Sequence, residues 1–342
     1  MNYKLIVDYL KQWNPDELFF RDYYYALEER TSIDDLLKRE DITEADKKLA
    51  LNPDSGDSHM SEARFFSKTQ NVVLIKHPRY CPFFTHQHVF FEIIYVLSGH
   101  GLEITNDRSV ELHEGDLCIL APNVTHGLKV FDDSVIVNIL IRHSTFMDIF
   151  LNTIRDKSQI SLFFMGNMYE KNKIRYLLYP TADDDVIRNY ILDMYTEQLH
   201  QDEYSDRIIC SLLTIFFTRL TRRHGKNVIV PDIIGSKSEY SDEILNYIIN
   251  HYESVTLNDL AEHLHFSVPY CSKVVKAISG TSFSDLITQI RIKQGENLLS
   301  HTQMSVADIS DKIGYKNPET FIRAFNRFYH LSPSQYRKNM LE

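Results

Sequence analysis

The stretch SVADISDKIGYKNPETFIRAFNRFY, residues 305–329, decides the fold of the C-terminal part of this chain. Ser305 begins a capping-box pattern, which favours a helix N-terminus. Apolar residues then follow at helical spacing up to Gly314, a residue suited to the left-handed conformation that ends many helices. Asn317 before Pro318 is typical of the start of a further helix. The stretch therefore predicts two short helices joined by a tight turn.

The segment 256–278 contains an approximate copy of this pattern, and its cap lies 49 residues before Ser305. Thr256 and Asp259 repeat the capping box, and Ser267 is placed to cap the second helix of the pair. A long helix from about Ser284 to Leu299 is predicted between the copies. Paired helices of this kind match the helix-turn-helix motif, which places its second helix in the DNA major groove. One copy also occurs in ordinary helical bundles, so the repeat is what favours DNA binding.

The second helix of each pair is predicted to present polar and basic side chains to DNA. The predicted DNA-facing residues are Pro269, Tyr270, Ser272, Lys273 and Lys276 in the first copy and Glu319, Thr320, Arg323, Asn326 and Arg327 in the second. We expect Phe321, Phe325 and Phe328 to point inward.

Charge is distributed unevenly between this region and the remainder of the chain. The whole chain of 342 residues has a formal net charge of -10. Residues 254–338 hold ten Lys and Arg against seven Asp and Glu, which gives +3 there and leaves -13 elsewhere. Because Lys and Arg neutralise phosphates, only the C-terminal region is suited to nucleic acid.

Residues 240–338 resemble the DNA-binding domain of the AraC/XylS family in the segments LNDLAEHLHFS, SGTSFSDLITQIRIKQGENLLS and SVADISDKIGYKNPETFIRAFNRFYHLSPSQYR. The resemblance implies seven helices, with one recognition helix in each helix-turn-helix unit. It also implies base contacts from Pro269, Ser272 and Lys273 in the first unit and from Glu319, Thr320 and Arg323 in the second. Gly295 and His330 depart from the family pattern, which usually has Ala and often has Gly at these positions.

A second resemblance lies in a region of short β-like runs, about residues 62–142, whose spacing predicts an antiparallel sandwich or barrel. HQHVFFEIIYVLSG (86–99) and GDLCILAPNVTH (115–126) resemble the two cupin motifs. Strand alternation points His86, His88 and Glu92 the same way, and His126 is the last candidate. Imidazoles and a carboxylate suit a divalent transition metal. The same groups also suit a metal-free pocket for a small effector, with a carbohydrate among the candidates. We expect the metal-free pocket and no cofactor.

The predicted fold class is α+β and multidomain, a cupin-like antiparallel β-barrel followed by amphipathic helices and an all-α double helix-turn-helix domain. The predicted boundaries are 1–58 for an acidic helical extension, 59–145 for the barrel, 146–225 for a helical connector that pairs protomers, 226–238 for a linker and 239–342 for the DNA-binding domain. The connector's apolar row of Ile209, Leu213, Phe216 and Leu220 motivates the expectation of a homodimer.

The sequence thus predicts an effector-responsive transcription regulator and not an enzyme. We expect it to bind a bipartite DNA operator, to activate an adjacent operon, one for carbohydrate use being a candidate, and to contact RNA polymerase. The alternative is a metal-dependent cupin enzyme fused to a DNA-binding module. The four dispersed cysteines suggest neither disulfides nor a zinc finger, and no signal peptide or apolar span is present, so we expect a cytoplasmic protein.

Overall fold

The computed structural model of the chain forms two compact units. It describes residues 3–53, 58–105, 108–146, 163, 175–230, 241–279 and 281–341. The first unit holds the described residues up to 146 and those from 175 to 230, and the second those from 241 onward. Residues 231–240, most of the predicted linker, lie outside the described part.

The first unit is built on two antiparallel sheets and a short parallel pair. The strands are β1 His59–Met60, β2 Val72–Lys76, β3 Gln87–His88, β4 Phe91–Ser98, β5 His100–Thr105, β6 Arg108–His113, β7 Asp116–Leu120, β8 His126–Lys129, β9 Val135–Ile141 and β10 Tyr176–Pro180. The five-stranded sheet has the order β10-β7-β4-β9-β2, the three-stranded sheet has the order β6-β5-β8, and β1 pairs with β3. Apolar side chains from both antiparallel sheets form one core, which includes Ile94, Leu112 and Leu128. The predicted β-rich sensor fold is confirmed.

One strand lies beyond the predicted end of the barrel. Tyr176–Pro180 pairs along its whole length with Asp116–Leu120 at the edge of the five-stranded sheet. The predicted helical connector, 146–225, therefore contains a strand, and its residues 147–162 and 164–174 lie outside the described part. The short apolar run of the strand, YLLY, shows no alternation, and such a run does not distinguish a buried strand from a helix.

The N-terminal extension is helical, as predicted, and packs on the sheets. Its helices are α1 Tyr3–Lys11, α2 Pro15–Glu28, α3 Asp34–Leu37 and α4 Glu44–Leu51, and α5 Glu62–Phe65 follows. Phe19, Phe20 and Tyr23 of α2 share a buried cluster with Tyr80 from the sheet domain. The extension is thus part of the first unit's core.

A buried ion pair fastens α2 to the loop after β2. The Arg79 guanidinium donates to both carboxylate oxygens of Glu17 at 2.9 Å, and Lys76 Nζ donates to Oε2 at 2.6 Å. The guanidinium carbon of Arg79 lies over the ring of Trp13, 3.7 Å from the ring centre. Burial alone would raise the pKa of Glu17, but these hydrogen bonds outweigh it and leave the pKa below its usual value.

Two long helices, α6 Asp185–His200 and α7 Ser205–His224, complete the first unit. The apolar row of α7 is buried within the chain: Ile209, Leu213, Phe216 and Leu220 are at most 3% exposed. This row therefore cannot be the surface that pairs two protomers. Amphipathic helices usually cover a core with such a row, and the row of α7 does so here instead of pairing protomers.

The second unit consists of seven helices in its described residues, as the family resemblance implies. They are α8 Ser241–His251, α9 Leu257–His263, α10 Val268–Ser279, α11 Phe283–His301, α12 Val306–Lys312, α13 Pro318–Tyr329 and α14 Pro333–Leu341. The caps predicted at Thr256, Ser305 and Asn317 are present. Thr256 and Asp259 form a capping box, and Ser305 accepts from the Asp308 amide at 3.1 Å.

Two glycines of this unit are required by their surroundings. Gly314 has a φ of +89°, and a Cβ there would lie 2.0 Å from the Glu253 carbonyl oxygen. A Cβ on Gly295 would lie 2.7 Å from the ring of Phe321. The glycine at 295 thus makes room for an aromatic side chain of α13, which explains this departure from the family pattern.

Candidate functional site

The four candidate effector-binding residues predicted from the sequence come together in the first unit. His86 and His126 face each other in an isolated antiparallel bridge, with reciprocal backbone hydrogen bonds of 2.8 and 2.9 Å. Opposed residues of a bridge carry their side chains on the same face. The two imidazole rings accordingly lie 4.4 Å apart, centre to centre.

His88 and Glu92 form the fixed part of this cluster. His88 Nδ1 lies 2.7 Å from the Phe90 carbonyl oxygen and donates to it, because a carbonyl only accepts. His88 Nε2 lies 2.9 Å from Glu92 Oε2. Burial would raise the pKa of Glu92, but the hydrogen bond from His88 and the neighbouring histidines lower it to about 2. Glu92 is therefore an anion held by His88.

His126 lies between two carboxyl groups. Its Nδ1 is 3.0 Å from Glu103 Oε1, and its Nε2 is 3.4 Å from Glu92 Oε2. Burial raises the pKa of Glu103 well above its usual value, and the charge of Glu92 adds to this rise.

Glu103 was not singled out from the sequence. On strand His100–Thr105 the polar Glu103 and Thr105 are buried, whereas the apolar Leu102 and Ile104 are only half-buried. This is the reverse of what apolar and polar alternation predicts, so no local signal in the sequence would have found Glu103.

Three buried imidazoles of this region, His77, His86 and His126, are neutral at pH 7. Burial lowers the pKa of His86 to about 3 and the pKa values of His126 and His77 to about 4. Within the described residues, His86 Nδ1, His126 Nε2 and His77 Nε2 are buried without a hydrogen-bond partner. Such groups cost about 1–3 kcal/mol each when unsatisfied, so they mark a place where a ligand or ion would be stabilised.

These groups line a cavity of about 230 Å³. Its other walls are mainly apolar, and the N-terminal extension supplies Asp16, Phe20, Asp46 and Leu49. Asn138 Oδ1, another buried atom without a partner among the described residues, also belongs to the lining. No pattern in residues 1–58 predicted this contribution, because it depends on how α2 and α4 pack against the sheets.

The helix-turn-helix units expose the residues predicted to face DNA. On α10, Pro269, Tyr270, Lys273 and Lys276 are exposed and Ser272 is half-buried, while Cys271 and Val275 are buried. On α13, Glu319, Thr320, Arg323, Asn326 and Arg327 are all exposed. Each second helix therefore has a buried apolar side and a solvent-facing polar side.

Phe328 is the exception to the predicted inward face of α13. Phe321 and Phe325 are fully buried, but Phe328 is 46% exposed. The core beyond Phe325 is filled by Tyr329 and Tyr336, whose ring centres lie 5.1 Å apart. The expectation for Phe328 is thus wrong because Tyr329, one residue later, occupies the inward position near the end of the helix.

Fold and site together define a two-part protein, with a cavity that holds buried polar groups among apolar walls in one unit and two helix-turn-helix units in the other. Residues 76–207 match the model of the AraC-like ligand binding domain, and residues 260–339 match a helix-turn-helix domain model. The chain belongs to the AraC family of regulators. Among its described residues, none of the helices is long and apolar enough to cross a membrane.

Three of the individual relatives match over part of the chain. An HTH-type transcriptional regulator of Bacillus subtilis, YtdP, is 36% identical over 29% of this chain and 13% of its own length. The melibiose operon regulatory protein of Escherichia coli is 31% identical over 29% of this chain and 33% of its own. The raffinose operon regulatory protein RafR of Pediococcus pentosaceus is 30% identical over 40% of this chain and 49% of its own. These matches therefore span less than half the length of each relative.

Proposed function

We propose that this protein is a sequence-specific, DNA-binding transcription regulator that responds to a small effector bound in the cavity of its first unit. The observation that carries the proposal is the pair of helix-turn-helix units, each with a capped first helix and an exposed second helix. A buried apolar side fixes each second helix, and its polar side is free to enter a major groove. The regional charge of +3 in an otherwise acidic chain favours this unit as the one that meets DNA.

A bipartite operator follows from this arrangement. Two recognition helices in successive major grooves on one face of the duplex read sites about one helical turn, roughly 10 bp, apart. Selection of binding sequences from random duplexes by the full chain tests this. We expect enrichment of two short conserved blocks at that spacing. Recovery of sequences without any conserved block would contradict sequence-specific binding.

The cavity supports a sensing role. Its walls are mainly apolar, and it gathers several buried polar atoms that no described residue pairs with. Pockets of this composition bind small molecules, with a few polar groups fixing the orientation. Two of the relatives are named for sugar operons, so we propose a carbohydrate as the effector class. Neutral histidines suit hydroxyl groups, which both donate and accept.

A ligand screen tests the sensing role. The thermal stability of the full chain is measured with a panel of monosaccharides and disaccharides, including melibiose. A sugar that binds only the folded chain stabilises it by about 2.7 kcal/mol at 100 times its Kd. The response should disappear in a His88→Ala, Glu92→Ala double variant. An unchanged response in that variant would exclude this cavity as the effector site.

The output we propose is activation of an adjacent operon by a cytoplasmic homodimer that contacts RNA polymerase. Effector binding would favour one arrangement of the dimer and so change how it occupies DNA. We propose no catalytic activity, in keeping with relatives that are named as regulators.

Because the inner row of α7 is buried, the proposed pairing surface is the opposite side of that helix. Ile208 and Ile215 lie there, one heptad apart, and are 40% and 45% exposed. We expect sedimentation to show a dimer at micromolar concentration and an Ile215→Glu variant to be monomeric. Leu27→Glu, the same kind of change at a 54% exposed position of α2, is the control. A monomeric unmodified protein would exclude the dimer.

A further inference from the structure

We propose that the effector is an amino sugar, whose protonated amine is bound by Asp16 and Asp46 of the N-terminal extension where they line the cavity. The inference rests on the proposed function, because it takes from it that a carbohydrate occupies the cavity. It adds a second recognition subsite, formed by residues outside the histidine cluster.

The charged groups that line the cavity are mostly carboxyl groups. Asp16, Asp46 and Glu92 contribute three of them, and Arg64 is the one lysine or arginine among the described lining residues. Arg64 is exposed to solvent. The buried histidines of the cavity are neutral at pH 7 and do not offset the negative charge. A cavity with this charge favours a cationic ligand and disfavours a phosphorylated sugar.

Two helices bring Asp16 and Asp46 to the same side of the cavity. Each residue lies in the first turn of its helix, α2 or α4, where the helix dipole favours an ionised carboxylate. Both lie near the thiol of Cys81, another lining residue, since burial and then the charges of these two carboxylates raise the pKa of that thiol to about 12. One amine bound beside Cys81 therefore meets carboxylates from two separate segments of the chain.

Asp16 lacks a cationic partner within the described residues. It is half-buried, and burial raises its pKa, with the charges of Glu17 and Asp46 acting in the same direction. The adjacent Glu17 holds the two cations of this region, Lys76 and Arg79. No described residue forms an ion pair with Asp16. A protonated amine would supply the positive charge that this partly buried carboxylate lacks.

A buried amide is an independent observation that points to a ligand. Asn138 lines the cavity and is 6% exposed, and its Oδ1 has no hydrogen-bond partner among the described residues. Its strand partners Ile75 and Ile94 also line the cavity, so the side chain of Asn138 is directed into it. An amide oxygen only accepts hydrogen bonds, and both an ammonium group and a hydroxyl group donate them.

An aromatic ring lies on the same helix face as Asp16. Phe20 follows it by four residues on α2, so the ring and the carboxylate are neighbours, and both line the cavity. A cation beside a carboxylate is stabilised further by the face of an aromatic ring. The ammonium group of an amino sugar thus suits this side of the cavity, and its hydroxyl groups suit the neutral histidines, which donate and accept.

Matched sugars test the subsite. The Kd for the full chain is measured by calorimetry with glucosamine, galactosamine and mannosamine, each beside its neutral parent and its N-acetyl form. The parent carries a hydroxyl group in place of the amine, and the N-acetyl form has no charge. We expect at least one amino sugar to bind at least about 10-fold more tightly than its parent, because hydrogen bonds between charged groups are the stronger ones. N-acetylation should remove this gain, and glucose 6-phosphate should not bind.

Variants of the lining residues test which groups recognise the amine. Asp16→Asn keeps the shape of the side chain and removes its charge, so it should weaken binding of the amino sugar by about 10-fold and leave binding of the parent unchanged. Asp46→Asn should act in the same way, and it replaces Asp16→Asn if that variant does not fold, judged by circular dichroism. Asn138→Leu should weaken binding of both sugars without lowering the melting temperature of the ligand-free chain, because the acceptor it removes has no partner. Asp8→Asn, at an exposed position of α1 outside the cavity lining, is the matched control.

Failure of this inference and failure of the proposed function are distinguishable. A neutral sugar that binds at least as tightly as its amino form would overturn the amine subsite and leave the sensing role intact. Equal preference for the amine in Asp16→Asn, Asp46→Asn and Asp8→Asn would do the same. Absence of binding by every sugar would overturn both the carbohydrate effector and the amine subsite, whereas selection of operator sequences would still report the DNA-binding function.

Discussion

The two units place their functional groups in opposite environments. In the first unit, His88, Glu92 and His126 are buried among apolar walls and held by one another. In the second, Lys273 and Arg323 extend into solvent from helices whose other side is buried. A buried polar group contributes to both stability and binding, whereas an exposed one contributes mainly to binding. Substitutions should therefore have different consequences in the two units.

The largest effect on stability is expected in the first unit at Glu17. Glu17→Ala leaves the buried Arg79 guanidinium without its carboxylate, and removal of one partner of a buried ion pair costs about 3–5 kcal/mol. Denaturant unfolding followed by the fluorescence of Trp13, the only tryptophan, measures this directly. Glu28→Ala, at an exposed position of the same helix, should change stability by less than about 0.5 kcal/mol.

The same pair predicts a dependence on pH. Because the folded-state pKa of Glu17 lies below its unfolded value, its contribution is complete above the unfolded pKa and is lost as the pH falls through the folded pKa. The difference in stability between the unmodified protein and Glu17→Ala should therefore shrink in acid. A difference that stays constant from neutral pH to about pH 2 would show that the carboxylate charge is not responsible.

In the second unit, stability is expected to be most sensitive to substitution at a glycine whose backbone conformation other residues cannot adopt without strain. Gly314→Ala forces a side chain into a left-handed conformation and against the Glu253 carbonyl oxygen, for a cost of about 1–3 kcal/mol. Hydrogen exchange of peptides covering α12 and α13 in the full chain should become faster. Asp311→Ala, exposed near the end of α12, should leave exchange unchanged. Unaltered exchange in Gly314→Ala would mean that the turn relaxes without strain.

A smaller effect of opposite sign is expected at the end of α13. His330 has a φ of +55°, the left-handed conformation in which many family members have glycine. His330→Gly should stabilise this unit by about 0.5–1 kcal/mol because glycine adopts that conformation without strain. His330→Ala has the same steric demand and should give no gain. Equal stability of the two variants, measured by the same exchange experiment, would contradict this explanation.

How much of the structure could be predicted from the sequence differs between the two units, and the reason is physical. The caps at Thr256, Ser305 and Asn317 act over three residues, so local patterns located the helices of the second unit closely. The long helix expected at about 284–299 extends from Phe283 to His301. Phe328 was misplaced because the helical period alone does not show where a core ends.

The cavity was predictable only in part. The alternation of His86, His88 and Glu92 identified one side of it, and the motif ending at His126 identified another. Glu103 and the wall formed by α2 and α4 depend on pairing between strands and on packing of distant segments, for which no local signal exists. Strand β10 was not predicted for the same reason, since its place in the sheet is set by its partner strand and not by its own sequence.

Binding of DNA by Arg323→Ala and Lys273→Ala, measured on operator variants at several salt concentrations, tests the central claim most directly. Both side chains are exposed, so the free energy of unfolding should change by less than about 0.5 kcal/mol. If each side chain reads a base, its loss should remove about 1–3 kcal/mol of discrimination at one position, with the two positions at opposite ends of the site. Equal losses on operator and scrambled DNA, with a smaller salt dependence, would instead show contacts to phosphate alone and would contradict the assignment of these helices as the sequence-reading elements.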